Sequence, residues 1–398
     1  MGGTVGLDRD RAELLRRVDE GSEAALALAR WMAAHPELSL EEHEASARYQ
    51  VQLRAWGFEV EAGSAGLATA FVARRGSGTA PVHVALLAEM DALPEIGHAC
   101  GHNLSGPASL LAAFAASRVL APEEAEILVV GTPAEELGLG KRRLVEAGVF
   151  GGVHAAMMAH ASDMRRAHRL FLGNRKLDFV FHGRAAHAAA FPERGVNALD
   201  AVIALFVGVG LLRQQLPRTA RIHGIVTEGG TAPNVIPERA AARFWVRALD
   251  DATPEDAAAR LVACAEGAAR QTGTRLELVR LEGESPPLRA NLPLAALYRR
   301  QLERLGLPES AHAPDESIGS SDITHVSRVA PTIHPNFPIG SELKLHTRAF
   351  AEAAASPAGE AGMLEGARAL ALCVLELARE PEVRAAVARE HARSGRET

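Results

Sequence analysis

Apolar residues recur at helical spacing through residues 9–34 and again through 41–56. Between them, "HPELSLEEHE" supplies Pro36 to interrupt the first run and Ser39 to cap the second, so the chain is expected to open with two helices. The pattern then turns extended in "LATAFVARRG" and "PVHVALLAEMDALP". The second of these is an almost unbroken apolar run, as a strand buried on both faces of a parallel sheet requires. Helix ("SGPASLLAAFAASRVLA"), strand ("AEILVVGTPAEE"), helix ("GKRRLVEAGVF") and strand ("HAAMMAHASD") follow in turn. This alternation predicts an α/β fold, a mostly parallel sheet with helices on both faces, whose ligands bind beyond the carboxyl ends of the strands.

Around residue 170 the pattern changes. A strand in "KLDFVFHGRAAHA" precedes a long helix in "NALDAVIALFVGVGLLRQQL". Two strands follow in "RIHGIVTEGG" and "AARFWVRALD", then a helix after "TPED" and a strand in "RLELVRLEG". That β-α-β-β-α-β order is the split, ferredoxin-like arrangement. It predicts an inserted α+β domain over residues 172–284, with 1–171 and 285–398 forming the first domain. The long helix carries more apolar surface than a small solvated lid normally exposes, and pairing two such lids would bury some of it. Nearer the C-terminus, the alanine-rich "AEAAASPAGEAG" reads as a loop leading into the last long helix.

With 398 residues, 47% of them hydrophobic and 23% charged, the chain has material for more than one domain. Its net charge of −6 contains no long run of one sign, so neither nucleic acid nor a membrane surface is an expected partner. "MGGTVGLDRDRAELLRRVDEG" places acids and arginines where a secretion signal needs an apolar core. Cys100, Cys264 and Cys373 are odd in number and widely spread, which argues against a disulfide framework. A cytoplasmic location is the expectation.

Three clusters of chemically competent residues fall just after buried strands: "EMDALPEIGHACGH", "TPAEE" and "MMAHASD". Thiolate, imidazole and carboxylate are the ligand set of zinc and similar divalent ions, and successive strand ends of one sheet converge on one point. Cys100 and His102 taken alone fit a glycine-rich turn around a buried thiol. The adjacent Glu135 and Glu136 shift the balance, because such a pair is awkward to bury unless one ligates a metal and the other handles protons. Their bland reading is an acidic pair at a helix start. His160 ends an apolar strand and His346 lies far downstream in "KLHTRAF"; both become candidates because the site still lacks neutral nitrogen ligands. Asp91 stands close enough to the loop to orient a ligating histidine.

These residues resemble the metal-dependent aminoacylase and carboxypeptidase family of metallopeptidases. The likeness is greatest to its amidohydrolase branch, which includes indole-acetyl-amino-acid hydrolases, aminobenzoyl-glutamate hydrolase and aminoacylase-like dipeptidases. It covers nearly the whole chain, through "MDALPEIGHACGHN", "GTPAEE", "GKRRLVEAGVF", "MAHAS", "GRAAHAA", "GGTAPNVIPE", "SSDITHVSRVAPTIHP" and "HTRAF". The resemblance implies a zinc-exopeptidase-like catalytic domain with an inserted lid that dimerises, and two divalent ions, Zn2+ or Mn2+. It assigns Cys100 as a thiolate bridging the two ions, with His102, Glu136, His160 and His346 as the other ligands. Glu135 becomes the general base, Asp91 the acid that orients a ligand, and His187 and Asn234 in the lid the groups that meet the reacting carbonyl. Ala161 departs from the proline or valine that relatives often carry after the His160 position.

The implied activity is hydrolysis of the amide bond of an N-acyl amino acid, an aminobenzoyl-glutamate-like amide or a dipeptide, by a water that the metals activate and Glu135 deprotonates. The partners expected are a small amide substrate and a second copy of the chain. Two rival readings are a cysteine hydrolase using Cys100 with His98 or His102, and a catalytically inactive relative that only binds. Arg184 and Arg239 fit either a substrate carboxylate or the surface, and His334 either a pocket wall or a turn.

Overall fold

Helix α1 (Gly2–Ala34) stops short of Pro36, and α2 (His43–Ala55) begins seven residues past it. The structure is a computed structural model describing residues 2–311 and 318–395. Ser39 does not cap α2; its hydroxyl donates instead to Asp91 Oδ2 at 2.7 Å, and the helix starts after Glu42 without a side-chain cap. From there the chain runs through β1 (Glu59–Ala62), β2 (Phe71–Arg75), β3 (His83–Glu89), α3 (His102–Val119), β4 (Glu126–Thr132), α4 (Gly140–Glu146), β5 (Ala155–Met157) and β6 (His160–Ser162). Next come β7 (Gly173–His182), α5 (Ala198–Leu212), β8 (Arg221–Glu228), β9 (Arg239–Ala248), α6 (Ala252–Thr272) and β10 (Arg275–Arg280). The chain ends with α7 (Leu292–Arg304), α8 (Ile323–Val326), β11 (Thr332–Ile333), β12 (Asn336–Pro338), α9 (Arg348–Ala354), α10 (Pro357–Arg379) and α11 (Pro381–Ser394).

Two compact units result. One comprises Met1–Arg169, Arg289–Ser317 and Ser321–Thr398; the other Leu170–Leu288 with Ile318–Ser320. In the first, six strands lie in the order β1-β2-β4-β3-β5-β11. The run from β4 to β11 is parallel, and β2 and β1 add an antiparallel edge. β4 is buried at every residue and β3 at all but its first, which is why both read as continuous apolar runs. α3, rich in Ala, Ser and Leu, is buried along nearly its whole length, so its N-terminus at His102 is held rigidly. Register then sets the site: Glu89 pairs with Thr132 and Leu86 with Met157, which brings the loops after β3, β4 and β5 out at one edge of the sheet.

"AEAAASPAGEAG" is helical where a loop was expected. Alanine favours helix, and the break is confined to Ala355 and Ser356, after which α10 opens with Pro357 in its first turn and the Ser356 hydroxyl accepting from Gly359 N.

The second unit is a four-stranded antiparallel sheet in the order β10-β7-β9-β8, with α5 and α6 packed on one face. Its core is built from Phe179, Phe181, Phe244, Leu205 and Leu261. Residues Ala198–Gln215 are long and apolar enough to cross a membrane by length and composition. Ala201, Val202, Leu205, Val209 and Leu212 face the core, whereas Ile203, Val207 and Leu211 are 54%, 61% and 69% exposed.

Candidate active site

At the carboxyl edge of the first unit's sheet the structure brings together all six residues read as ligands or base. Ligating atoms of Cys100, His102 and His160 lie within 4.8 Å of one another, as do those of Cys100, Glu136 and His346, and those of His102, Glu135 and Glu136. Tight backbone geometry makes this possible. Gly101 adopts φ +85°, and a Cβ there would stand 2.5 Å from Ala161 Cβ, so the β3–α3 loop passes directly against the strand that begins at His160. The loop after β4 folds back on itself so closely that a Cβ on Gly140 would lie 1.7 Å from the Pro133 oxygen. Because α4 begins only at Gly140, Glu135 and Glu136 are not its capping acids. His346 arrives on a left-handed residue, φ +61°, with its N–H donated to Ala99 O at 2.9 Å.

Both buried imidazoles present the same nitrogen. His102 Nδ1 lies 2.8 Å from the backbone oxygen of Asp91 and 3.0 Å from its Oδ1, so Nδ1 carries the proton. His160 Nδ1 donates to Ala161 O at 2.8 Å. That directs Nε2 of each ring inward, with His160 Nε2 3.6 Å from Cys100 Sγ. His102 Nε2, Glu89 Oε2 and Glu136 Oε1 are buried without a hydrogen-bond partner. Orphaned acceptors converging with a thiol fit divalent cations, which need deprotonated ligands of these types.

Burial and the crowded carboxylates set the electrostatics of the cluster: burial works against a charge on His102, but Glu89, Cys100 and Asp91 outweigh it and raise its pKa. Burial, then the charge of Glu136, pushes the Cys100 thiol up. Burial and the charges of Glu89 and Glu136 push Glu135 up, and burial raises Glu136 against the pull of His102 and His346. Burial pushes His160 down to about 4, the neutral form a metal ligand requires. Asp91 is lowered, because His102 and the N–H of Glu136 outweigh the effect of burial. The cluster is rich in anionic groups whose charge a bound cation would offset.

A second buried group, with no signal in the sequence pattern, stands beside this one. Glu89 Oε1 accepts from Lys141 Nζ at 2.7 Å, and Lys141 Nζ also lies 2.5 Å from Asp322 Oδ1; all three side chains are fully buried. Burial works against the lysine's charge, but Asp322 and Glu89 outweigh it and raise its pKa. Glu89 Oε2 stands 3.3 Å from His102 Nε2, so this ion triad backs directly onto the imidazole. Lys141 and Asp322 sit in the matching stretches "GKRRLVEAGVF" and "SSDITHVSRVAPTIHP", with Glu89 just ahead of "MDALPEIGHACGHN", but nothing in the charge pattern shows that the three are buried together.

Comparison with known proteins decides the family. The chain is 35% identical over 390 residues to Xaa-Arg dipeptidase of Mus musculus, covering 94% of this chain and 90% of that protein. The chain belongs to the M20 metallopeptidase family. It is an enzyme of the kind that hydrolyses amide bonds. Residues 172–273 match the M20 peptidase dimerisation domain. The chain is also 32% identical over 322 residues to one of the p-aminobenzoyl-glutamate hydrolase polypeptides of Escherichia coli, covering 75% of this chain and 66% of that one. Its fold matches a dinuclear metal binding peptidase of Bacillus subtilis with a TM-score of 0.69, at 21% identity, over 90% of this chain and 99% of that one.

In the M20 dimerisation domain, His187 and Asn234 lie on neighbouring loops. Ala188 N donates to Asn234 O at 3.0 Å, Ile236 N donates to Ala186 O at 3.0 Å, and His187 pairs with Val235. His187 Nδ1 accepts the N–H groups of Ala189 and Ala190 at 3.3 and 3.1 Å, so the neutral ring carries its proton on Nε2. Arg184 Nε donates to Arg194 O, and Arg239 pairs with Glu228, so both have partners within their own unit. His334 stacks on His160 with ring centroids 5.1 Å apart, beside the cluster rather than in it. His98 is buried, and burial with His102 pushes it down to about 3.

Proposed function

We propose that this M20 enzyme hydrolyses dipeptides with a basic C-terminal residue, holding two divalent ions on Cys100, His102, Glu136, His160 and His346. The convergence of these donors at one strand edge carries the reading. The identity to Xaa-Arg dipeptidase across 94% of the chain supports the substrate class. Thiolate and imidazole favour zinc, and the carboxylates also suit manganese.

Bound divalent ions would polarise the scissile carbonyl and make water a stronger acid. Glu135, its carboxyl raised by burial and neighbouring charge, accepts a proton from the attacking water as the new C–O bond forms. It then delivers that proton to the amine nitrogen as the C–N bond breaks. Asp91, through its backbone oxygen at 2.8 Å from Nδ1 with its carboxylate alongside, fixes the tautomer and ring orientation of His102. His187 Nε2–H and the Asn234 amide are the donors proposed to meet the developing oxyanion once the lid has closed on substrate, a contribution of about 3–4 kcal/mol per donor. Cys100 Sγ converges with donor atoms of His102, His160, Glu136 and His346, which favours the thiol as a metal ligand over a lone nucleophile. The dimerisation domain supports a homodimer, formed through the exposed stripe of α5.

The test is hydrolysis of alanyl-arginine, alanyl-lysine, p-aminobenzoyl-glutamate and indole-3-acetyl-aspartate by protein stripped of metal and then reconstituted with zinc or manganese. Preferential, metal-restored cleavage of the basic dipeptides is expected. Cleavage unchanged by stripping defeats the metal reading, and preference for an acidic product defeats the substrate reading.

A further inference from the structure

Glu42 belongs to none of the roles above, yet its side chain is fully buried. It lies just before α2 and does not cap that helix. Its Oε1 accepts the N–H of Leu40 at 3.0 Å and the N–H of Ala134 at 2.8 Å, and its Oε2 accepts the Thr69 hydroxyl at 2.9 Å. A carboxylate in such a position is costly to bury, and here every donor it receives is neutral. The bond to Ala134 joins segments 92 residues apart.

Ala134 is itself unusual. It is a fully buried non-glycine residue at φ +55°, a left-handed conformation that a Cβ disfavours, and it immediately precedes the proposed general base. On the other side of that base, Glu136 N donates to Asp91 Oδ2 at 3.0 Å. The backbone N–H groups of the residues on either side of Glu135 are thus each held by a different buried carboxylate. Glu135 O accepts from Gly138 N at 2.7 Å and Ala134 O from Leu139 N at 3.2 Å, closing the loop behind them.

We propose that Glu42 is a positioning residue for catalysis: by holding the Ala134 N–H it sets the left-handed turn that aims Glu135. This rests on Glu135 being the base. A shift of about 1 Å in a catalytic group costs on the order of 100-fold in rate, so the clamp governs kcat more than substrate binding.

The experiment compares Glu42→Ala, Glu42→Gln, Glu42→Ala with Ala134→Gly, and Glu135→Gln in the zinc-reconstituted enzyme. The readouts are kcat and KM on alanyl-arginine, bound zinc by mass spectrometry, and hydrogen exchange of the peptide spanning 131–140. Glu42→Ala is expected to lower kcat by about 100-fold with KM within about twofold, to keep its zinc, and to speed exchange across 131–140. Glu42→Gln, which retains an acceptor oxygen for Ala134, stays within about threefold of the parent. Ala134→Gly returns part of the lost kcat, because glycine adopts positive φ freely. Unchanged kcat and exchange in Glu42→Ala, or activity lost in proportion to zinc, overturns the proposal. If Glu42→Ala does not fold, Glu42→Asp, which withdraws the carboxylate by one methylene, is read by the same criteria. Failure of the base assignment is separable, because it appears as retained turnover in Glu135→Gln.

Discussion

Asp91 Oδ1 lies 3.0 Å from His102 Nδ1, and the same carboxylate receives Glu136 N and the Ser39 hydroxyl on Oδ2. One buried acid therefore orients an imidazole and anchors the loop that carries the glutamate pair. Asp91→Asn keeps the size and the backbone oxygen that accepts from His102 Nδ1 at 2.8 Å, but removes the negative charge beside the imidazole and weakens the acceptor that holds Glu136 N and the Ser39 hydroxyl. Metal affinity should fall by about 10- to 100-fold. Competition with a chromogenic chelator measures this, and an unchanged dissociation constant would show that the Asp91 carboxylate does not support the ligands.

Glu135 and Glu136 are adjacent but should fail differently. Glu135→Gln is expected to keep its metal and lose turnover by at least about 100-fold, the scale of a missing general base. Glu136→Gln should lose metal as well, since its Oε2 faces His346 Nε2 at 3.5 Å. Metal content and kcat measured together decide the matter, and equal metal loss in the two variants contradicts the division of labour.

Cys100 should behave as a ligand in labelling experiments. Its side chain is almost wholly buried beside His160 Nε2, and a bound ion would hold the sulfur further. Iodoacetamide should modify it slowly in the metal-loaded protein and faster after chelation. Identical rates would count against a metal-bound thiolate.

The elements carrying this chemistry are legible in the sequence because their signals are local. β3 and β4 are buried on both faces and so spell out apolar runs, and "HACGH" places soft and nitrogen ligands within one turn. What escapes such a reading is held together only in three dimensions. Lys141 and Glu42 each stand in a charged stretch, where a lone acidic or basic residue normally means solvent, and only the packing around them reveals buried ion pairs and clamps. Ser39 suits a helix cap by type and position, but a carboxylate 52 residues away takes its hydroxyl. "AEAAASPAGEAG" reads as a loop because its Ser-Pro-Ala-Gly centre resembles a turn, whereas serine and proline here start the next helix.

His187 offers a test of the lid that metal binding alone would not give. With Nδ1 occupied by two backbone N–H groups, Nε2–H is the ring's free donor. His187→Ala should leave metal content unchanged and lower kcat by about 100- to 1000-fold, the cost of losing one oxyanion donor. His187→Gln, which restores a donor of similar reach, should recover part of that loss. Undiminished turnover in His187→Ala would remove the residue from the reaction.

The second unit should join two copies of the chain. On α5, Ile203, Val207 and Leu211 recur every four residues, so they form one stripe along the face opposite the core. Three large aliphatic side chains, each more than half exposed, would be a costly surface to leave in water, at about 1.5–3 kcal/mol for each one that could be fully buried. β8 adds exposed Ile225 and Val226 on an edge strand whose other side is paired only to β9. An apolar helix face and an open strand edge within one small unit suit a two-fold interface, in which each copy supplies the same patch. Val207→Glu with Leu211→Glu should convert the protein to a monomer by sedimentation velocity while the far-ultraviolet circular dichroism stays unchanged, because neither residue belongs to the unit's core. If the wild-type protein already sediments as a monomer, or the double variant remains a dimer, this face is not the interface.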